Sequence, residues 1–477
     1  MNAQKVGRML GPLIFAITLI STPPTDMPSE AWLVAGLVIW MAIWWMTEAI
    51  PLSATALLPF IILPLAGVMS AKETASAYYA PILFLLLGGA FIALAIERTG
   101  LHKRLALSIL NLIGSSSDQR ILLFAFMTSA ALLSMIISNT STALIMMPMA
   151  IAVLTAGQSQ SSNGEFTAQH DGMSGALPMG IAFAASIGGL GTLIGSPTNG
   201  IAVALLDEMT DLNIGFSDWM MFGLPVVLIG IPCAVMLISW VQKVHDHPFD
   251  VAAARSAINN TAPWSSAEKR LVPIIALTFF LWMSRRWFEP YLPDGSWTDG
   301  SIAVIAGLAL FLIRDNAGRP LLKWEDTNRA PWAVMMMFGG GLALAAGMQN
   351  SGLADWLGSA LLPLEVLPLI LLAMAIVGMV VLVTEFASNV ATASAIIPVV
   401  ASLVTALGLK EEALLLAMPA ALAASWGFIL PAGTGPNAIA WSTGRLKIQR
   451  LVKAGLILDL IGIILIVLIA WGVTLLR

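Results

Sequence analysis

The sequence predicts an all-α polytopic membrane protein of eleven transmembrane helices and two re-entrant helical hairpins. Three observations carry this prediction. Of 477 residues, 58 % are hydrophobic and 10 % are charged, against about 25 % charged in a soluble domain. The apolar residues fall in runs long enough to cross a bilayer. Two polar clusters recur 250 residues apart, at Ser134 and Thr384, inside stretches too long for one straight span.

This composition disfavours a single soluble domain and a disordered chain, and a net charge of -4 argues against a polyanion partner such as a nucleic acid, although basic patches can sit inside a net balance. The one cysteine, Cys233, rules out an intrachain disulfide and any CxxC motif. It reads as a small core or lipid-facing residue.

A spanning helix needs about 20 apolar residues. The runs lie at 9–22, 31–48, 52–68, 81–97, 178–206, 219–242, 270–284, 301–313, 332–349, 414–443 and 454–475. The first follows Lys5 and Arg8 but leads into Ser21-Thr22-Pro23-Pro24 rather than a small-residue cleavage site, so it reads as a span and not a signal peptide. The stretches 121–156 and 366–407 carry polar residues at their centres and read as hairpins that enter and return.

Basic residues set the orientation. With the N-terminus in the cytoplasm and both hairpins non-crossing, 18 of the 23 Lys and Arg fall in cytoplasmic segments; only Lys72, Arg285, Arg286, Lys410 and Arg477 do not. This positive-inside bias predicts a cytoplasmic N-terminus and an outside C-terminus. Making either hairpin a crossing would invert every later loop.

The halves repeat. Ser134 through Ala143 and Thr384 through Ala393 each hold a hydroxyl five residues before an Asn and a Ser just before it. Thr and Ala follow three and four residues after, and a Pro nine after, at Pro148 and Pro398. Upstream, Gly88-Gly89 pairs loosely with Gly339-Gly340-Gly341, and Gly100-Leu101 with Gly352-Leu353. Downstream, Gly195-Ser196-Pro197-Thr198-Asn199 pairs with Gly433-Thr434-Gly435-Pro436-Asn437. The 12-residue difference in spacing falls in the polar loop 157–177. The topology makes these repeats inverted, and inverted repeats with helices broken at the midplane describe secondary transporters. The breaks are expected at 188–200 and 431–437.

Backbone that leaves a helix inside lipid must line a cavity or be buried in protein. Freed carbonyls and side-chain oxygens suit a hard cation, and half-helix N-termini suit an anion. The expected Na⁺ ligands are Ser134, Ser138, Asn139 and the Gly195 carbonyl in one set. Thr384, Asn389 and the carbonyls of Ala387 and Gly433 form the other. The expected anion contacts are Ser138, Asn139, Thr140, Ser196 and Pro197 from the first half, and Ser388, Asn389, Val390, Thr434 and Gly435 from the second. A single Ser-Asn-Thr tip would read as helix packing; two tips in an inverted repeat, each followed by a Gly-rich break ending in Asn, do not.

Glu48, Glu385 and Asp459 are read as intramembrane acids, and an intramembrane carboxylate is a functional candidate. Glu385, beside the second tip, reads as a structural acceptor, with a proton carrier as its alternative. Glu48 and Asp459 read as interfacial. The four His are placed in loops, and no GxSxG, HExxH or P-loop pattern occurs. A serine hydrolase would need a His or Lys base in a span; the chain is not expected to be an enzyme or to carry an organic cofactor.

With its two tips and the early segment Trp44-Trp45-Met46-Thr47-Glu48-Ala49-Ile50-Pro51, the chain resembles the divalent anion/sodium symporter family along nearly its whole length. That resemblance implies a homodimer in a cell membrane, of the bacterial inner-membrane kind, and an elevator-type mechanism. It also implies sodium as coupling ion and a small dianion such as succinate, malate or fumarate as substrate. Scaffold parts are then expected at 1–110 and 208–365, transport parts at 111–207 and 366–443, and a last helix at 444–477. Val390 departs from the Ser-Asn-Thr pattern, and Gly433-Thr434-Gly435-Pro436 departs from the usual Thr-Pro order. A sodium-independent exchanger, or a sulfate or citrate carrier on the same fold, are the alternatives.

Overall fold

The computed structural model describes residues 3–113, 118–158, 170–210, 212–256, 263–409 and 412–476. Lys410, Arg477 and the centre of the polar loop 157–177 lie outside them.

The helices α1 (Ala3–Ile20) and α2 (Ser29–Thr47) pack as a pair. Glu48 then turns the chain with φ 47° and lies exposed, at the α2 end. Where one span is expected over 52–68, the structure has α3 (Leu52–Thr55) and α4 (Leu58–Leu65), followed by α5 (Ala71–Ala77). Pro51 precedes α3, and Pro59 in the first turn of α4 has no N–H to bond back to Thr55, so the run divides at Ala56-Leu57. Next come α6 (Ile82–Thr99) and α7 (Leu101–Ile113), joined at Gly100 with φ 81°. His102 lies not in a loop but buried on the inner stripe of α7, its Nδ1 3.1 Å from the Ile96 carbonyl.

The first expected hairpin is α8 (Gln119–Ser134) and α9 (Asn139–Gly157). The first broken helix is α10 (Met173–Gly189) and α11 (Pro197–Thr210), interrupted at 190–196. Then follow α12 (Phe216–Val241), the short α13 (Val251–Ser256), and α14 (Ser266–Met283) with α15 (Arg285–Phe288), which bends away from it. α16 (Asp299–Leu312) closes the first half.

The second half restates the plan. α17 (Trp332–Asn350) and α18 (Leu353–Leu361) meet at Gly352, φ 78°, as α6 and α7 meet at Gly100. The second hairpin is α19 (Leu369–Phe386) and α20 (Asn389–Ala406). The second broken helix is α21 (Leu414–Ala423) and α22 (Gly435–Ser442), and its interruption at 424–434 begins seven residues earlier than the glycines suggest. α23 (Ile448–Leu476) ends the chain.

Among the described residues, nine helices are long and apolar enough to cross a membrane, or ten if α14 and the segment bent from it count as one. The eleven expected runs give fewer because 52–68 is fragmented, α16 has 14 residues, and both broken helices fall short once divided. Three of the four hairpin arms, α9, α19 and α20, pass the same length test, so length alone does not separate re-entrant arms from crossings.

Packing places the breaks at the centre. Every residue of α10 is buried, which its Gly, Ala and Ser content permits by letting neighbouring backbones approach. α10 packs on α8, α9, α12 and α22. α23 packs on α12, α19 and α21. A second, smaller core joins α2, α4, α17 and α18.

Candidate functional site

The two hairpin tips have one local design. Ser138 is extended (φ -61°, ψ 150°) and caps α9, its hydroxyl accepting from the Ser141 N–H at 3.2 Å. Ser388 does the same for α20, accepting from Ala391 at 3.2 Å. Thr434 caps α22 through Asn437 N–H, also at 3.2 Å. Ser and Thr are strong N-caps because the hydroxyl satisfies an orphan amide. Each cap therefore opens a helix whose N-terminus faces the tip or break.

The buried Asn that ends each break ties the loop back on itself. Asn199 Nδ2 donates to the Gly189 and Thr192 carbonyls at 2.7 and 2.8 Å. Asn437 Nδ2 donates to the Leu430 carbonyl at 3.2 Å. The halves interlock reciprocally: α9 packs on α22, and α20 packs on α11. Thr140 lies over Gly435, where any larger residue would meet its hydroxyl.

At the first tip, oxygens converge. Ser134 Oγ lies 2.7 Å from both Asn139 Oδ1 and the Ala185 carbonyl. The amide atom of Asn139 that faces inward is also 3.1 Å from the Ala185 carbonyl and 3.2 Å from the Gly195 carbonyl. One hydroxyl has one proton, so it cannot satisfy two acceptors. Either the amide turns its nitrogen inward, or a cation sits among the oxygens. The backbone leaves no slack here: a Cβ on Gly195 would lie 2.6 Å from the Gly189 carbonyl, and one on Gly189 would overlap Asn139 Oδ1.

The second tip repeats the arrangement. Thr384 Oγ1 lies 2.9 Å from Asn389 Oδ1 and 2.9 Å from the Ala424 carbonyl. Around both clusters, buried side-chain oxygens without a hydrogen-bond partner come in repeat-related pairs: Thr142 with Thr392, Ser186 with Ser425, and Asn199 with Asn437.

Several expected site residues thus fall together: Ser134, Asn139 and Gly195 in one cluster, Thr384 and Asn389 in the other. The carbonyl at the Thr384 hydroxyl comes from Ala424, and a Cβ on Gly433 would lie 3.5 Å from the Glu385 main-chain oxygen and carboxylate. Ser196 and Thr434 are buried, Ser138 and Thr140 are exposed, and Val390 is half-buried against both cores. Ala185 and Ala424 escaped the sequence reading. Their signal was a further repeat, Ala184-Ala185-Ser186-Ile187-Gly188 against Ala423-Ala424-Ser425-Trp426-Gly427.

Glu385 is buried, and its Oε1 and Oε2 accept from the Ile429 and Leu430 N–H groups, each at 2.9 Å. It pins the unwound segment of the second break to α19. Asp459, expected at the interface, is instead buried against Glu385 and Phe428. α23 begins at Ile448, before the apolar run, so Asp459 sits three turns inside the helix.

A cavity of about 160 Å³ reaches the first tip. Ser138, Ser141, Ile194 and Pro197 line it from the tip and break, α6 lines it between Leu86 and Glu97, and Arg329, Ala330 and Pro331 line it with Val334 and Met335 of α17.

Residues 3–477 match the family profile described as "Sodium:sulfate symporter transmembrane region". The chain belongs to the divalent anion/sodium symporter family. It is 37 % identical over 478 residues to proteins named "Sodium-dependent dicarboxylate transporter SdcS" from Staphylococcus aureus strains bovine RF122 / ET3-1 and USA300, covering 98 % of this chain and 91 % of theirs. Among solved structures, the Alcanivorax borkumensis YdaH transporter shares the fold, with a TM-score of 0.56 at 16 % identity, covering 99 % of this chain and 98 % of that one. The family makes the chain a multi-pass membrane transporter and not an enzyme.

Proposed function

We propose that this protein couples movement of a C4-dicarboxylate such as succinate, malate or fumarate into the cell to sodium, in a bacterial cell membrane. The duplicated oxygen cluster carries the reading. Ser134, Asn139, Ala185 and Gly195 in one half, and Thr384, Asn389 and Ala424 in the other, bring hydroxyl, amide and main-chain oxygens together at equivalent places in the repeat. With the Asn139 amide oxygen turned inward, a bound Na⁺ would be held among these oxygens. The Ser138, Asn139 and Thr140 tip, the Ser388, Asn389 and Val390 tip, and the segments Ser196-Pro197 and Thr434-Gly435 would hold the dianion. Side-chain amide and hydroxyl donors suit carboxylate oxygens, and no basic residue stands at either tip. The helix ends and the sodium ions would supply the positive charge.

The relatives in Staphylococcus aureus support sodium dependence and dicarboxylates by their names. The two hairpins would be re-entrant and the repeats inverted, with the N-terminus inside and C-terminus outside. The transport parts 111–207 and 366–443 would move as an elevator against scaffold parts in a homodimer. The packing of α12 and α23 on α8, α10, α19 and α21 favours their travelling with the moving part.

Uptake of labelled succinate into proteoliposomes, with Na⁺ replaced by K⁺, tests the coupling. Loss of uptake is expected; unchanged uptake would indicate an exchanger. Competition by malate, fumarate, citrate and sulfate tests the substrate. Displacement by sulfate alone would overturn the dicarboxylate assignment.

A further inference from the structure

The cavity that reaches the first tip has a charged mouth. It follows α6 from Gly89, beside Ile194 of the first break, to Glu97. Eight residues of helix make that path about 12 Å long. Along it the lining is apolar or hydroxylic, and of its described residues only Arg329 is basic and only Glu97 acidic. The two form an ion pair. Glu97 is 12 % exposed and Arg329 is 65 % exposed, so the acid is fixed in the wall and the guanidinium reaches into solvent. The neighbouring pair Arg98–Asp326 already ties the segment before α17 to the end of α6. The Asp326 carboxylate also accepts from the Lys323 N–H at 2.8 Å. Anchoring therefore has its own pair, and among the described residues the Arg329 guanidinium pairs with one carboxylate, that of Glu97.

We propose that Arg329 recruits the dianion at this mouth, a substrate carboxylate replacing Glu97 on the guanidinium before the dianion passes to the Ser138 tip. The inference rests on the dicarboxylate reading above. Arginine suits the role because its planar fork matches a carboxylate and it stays charged. A single exposed cation in a low-dielectric funnel raises local anion concentration without forming part of the occluded site. Glu97 then sets the strength of recruitment by competing for Arg329.

The test is the concentration dependence of Na⁺-driven succinate uptake, measured in inside-out vesicles and in intact cells. The mouth faces the bath in only one of them, the vesicles under the proposed topology. Arg329→Gln is expected to raise KM about threefold on that face at low ionic strength, with maximal rate and sodium dependence unchanged. The difference should vanish in about 0.5 M choline chloride, where the Debye length falls to a few ångströms. Arg329→Lys should recover most of the loss. Glu97→Gln should move KM the other way, down about twofold, because it frees the guanidinium.

A strap that merely held the loop would make both substitutions harmful in the same direction. That outcome, or a wild-type KM in Arg329→Gln on both faces, overturns the proposal. A wild type that takes up no succinate with Na⁺ overturns the dicarboxylate reading and this inference together; wild-type uptake with no effect of either substitution overturns this inference alone.

Discussion

Glu385→Gln isolates the anchor of the second break. The carboxylate receives two main-chain N–H groups, from Ile429 and Leu430, at 2.9 Å each, and is 3 % exposed. Hydrogen bonds to a charged group are worth about 1.5–3 kcal/mol. Glutamine keeps one acceptor, but its amide nitrogen must then face the other N–H, donor against donor. The loss is one charge-assisted bond plus a buried amide left unsatisfied, about 3 kcal/mol together. For a chain of this length such a loss lowers the apparent Tm by roughly 3 °C. Glu385→Ala removes both acceptors and should cost more than Gln.

The assay is thermal unfolding of the detergent-purified protein, read at one scan rate because membrane-protein unfolding is commonly irreversible. The pH profile of succinate uptake by Glu385→Gln is measured beside it. An anchor gives the Tm loss with an unchanged profile. A Tm within about 1 °C of wild type together with a flattened pH profile would refute the anchor and make Glu385 a proton carrier.

Further predictions follow from the same geometry. Asn139→Ala and Asn389→Ala each remove one oxygen from a cluster, and each should raise the sodium concentration for half-maximal uptake at least about tenfold at normal expression; wild-type sodium dependence would refute that cluster's assignment. Gly189→Ala places a methyl on Asn139 Oδ1 and should abolish uptake at normal expression, whereas retained activity would mean the tip gives way. Asp171, outside the spans, is partly buried, which pushes its carboxyl up, but Lys447 at 3.2 Å and Arg450 at 3.1 Å outweigh this and hold it below its ordinary 3.8. A depressed carboxylate contributes stability above its unfolded value and loses it as pH falls through the folded one. Asp171→Asn should therefore lower Tm slightly at pH 7 and not at about pH 3; an equal effect at both would refute the ion-pair role.

What could be read in advance was what residue type and spacing encode. The hydroxyl-to-Asn interval of five and its recurrence at Ser134 and Thr384 mark both clusters in the sequence, because side-chain oxygens at tips are visible as letters. The carbonyls of Ala185 and Ala424 were not, since a main-chain oxygen leaves no mark of its own. The second break begins before Gly433 and Gly435 because the Glu385 carboxylate, on another helix, holds the Ile429 and Leu430 N–H groups out of any helix, which no residue type at 429–430 marks. Hydropathy joins 52–68 into one span because it does not register that Pro59 cannot continue the helix from α3. An apolar run starting at 454 puts Asp459 near an end, whereas α23 starts earlier, on the polar residues Gln449 and Arg450, and so carries Asp459 inward.

The central claim is that dianion and sodium move together through one site. Its most direct test is the influx of ²²Na⁺ into proteoliposomes, driven by an inward succinate gradient with no sodium gradient imposed. The account predicts sodium accumulation that requires succinate and is lost in Asn139→Ala and in Asn389→Ala. Succinate entry with no accompanying ²²Na⁺ would contradict it.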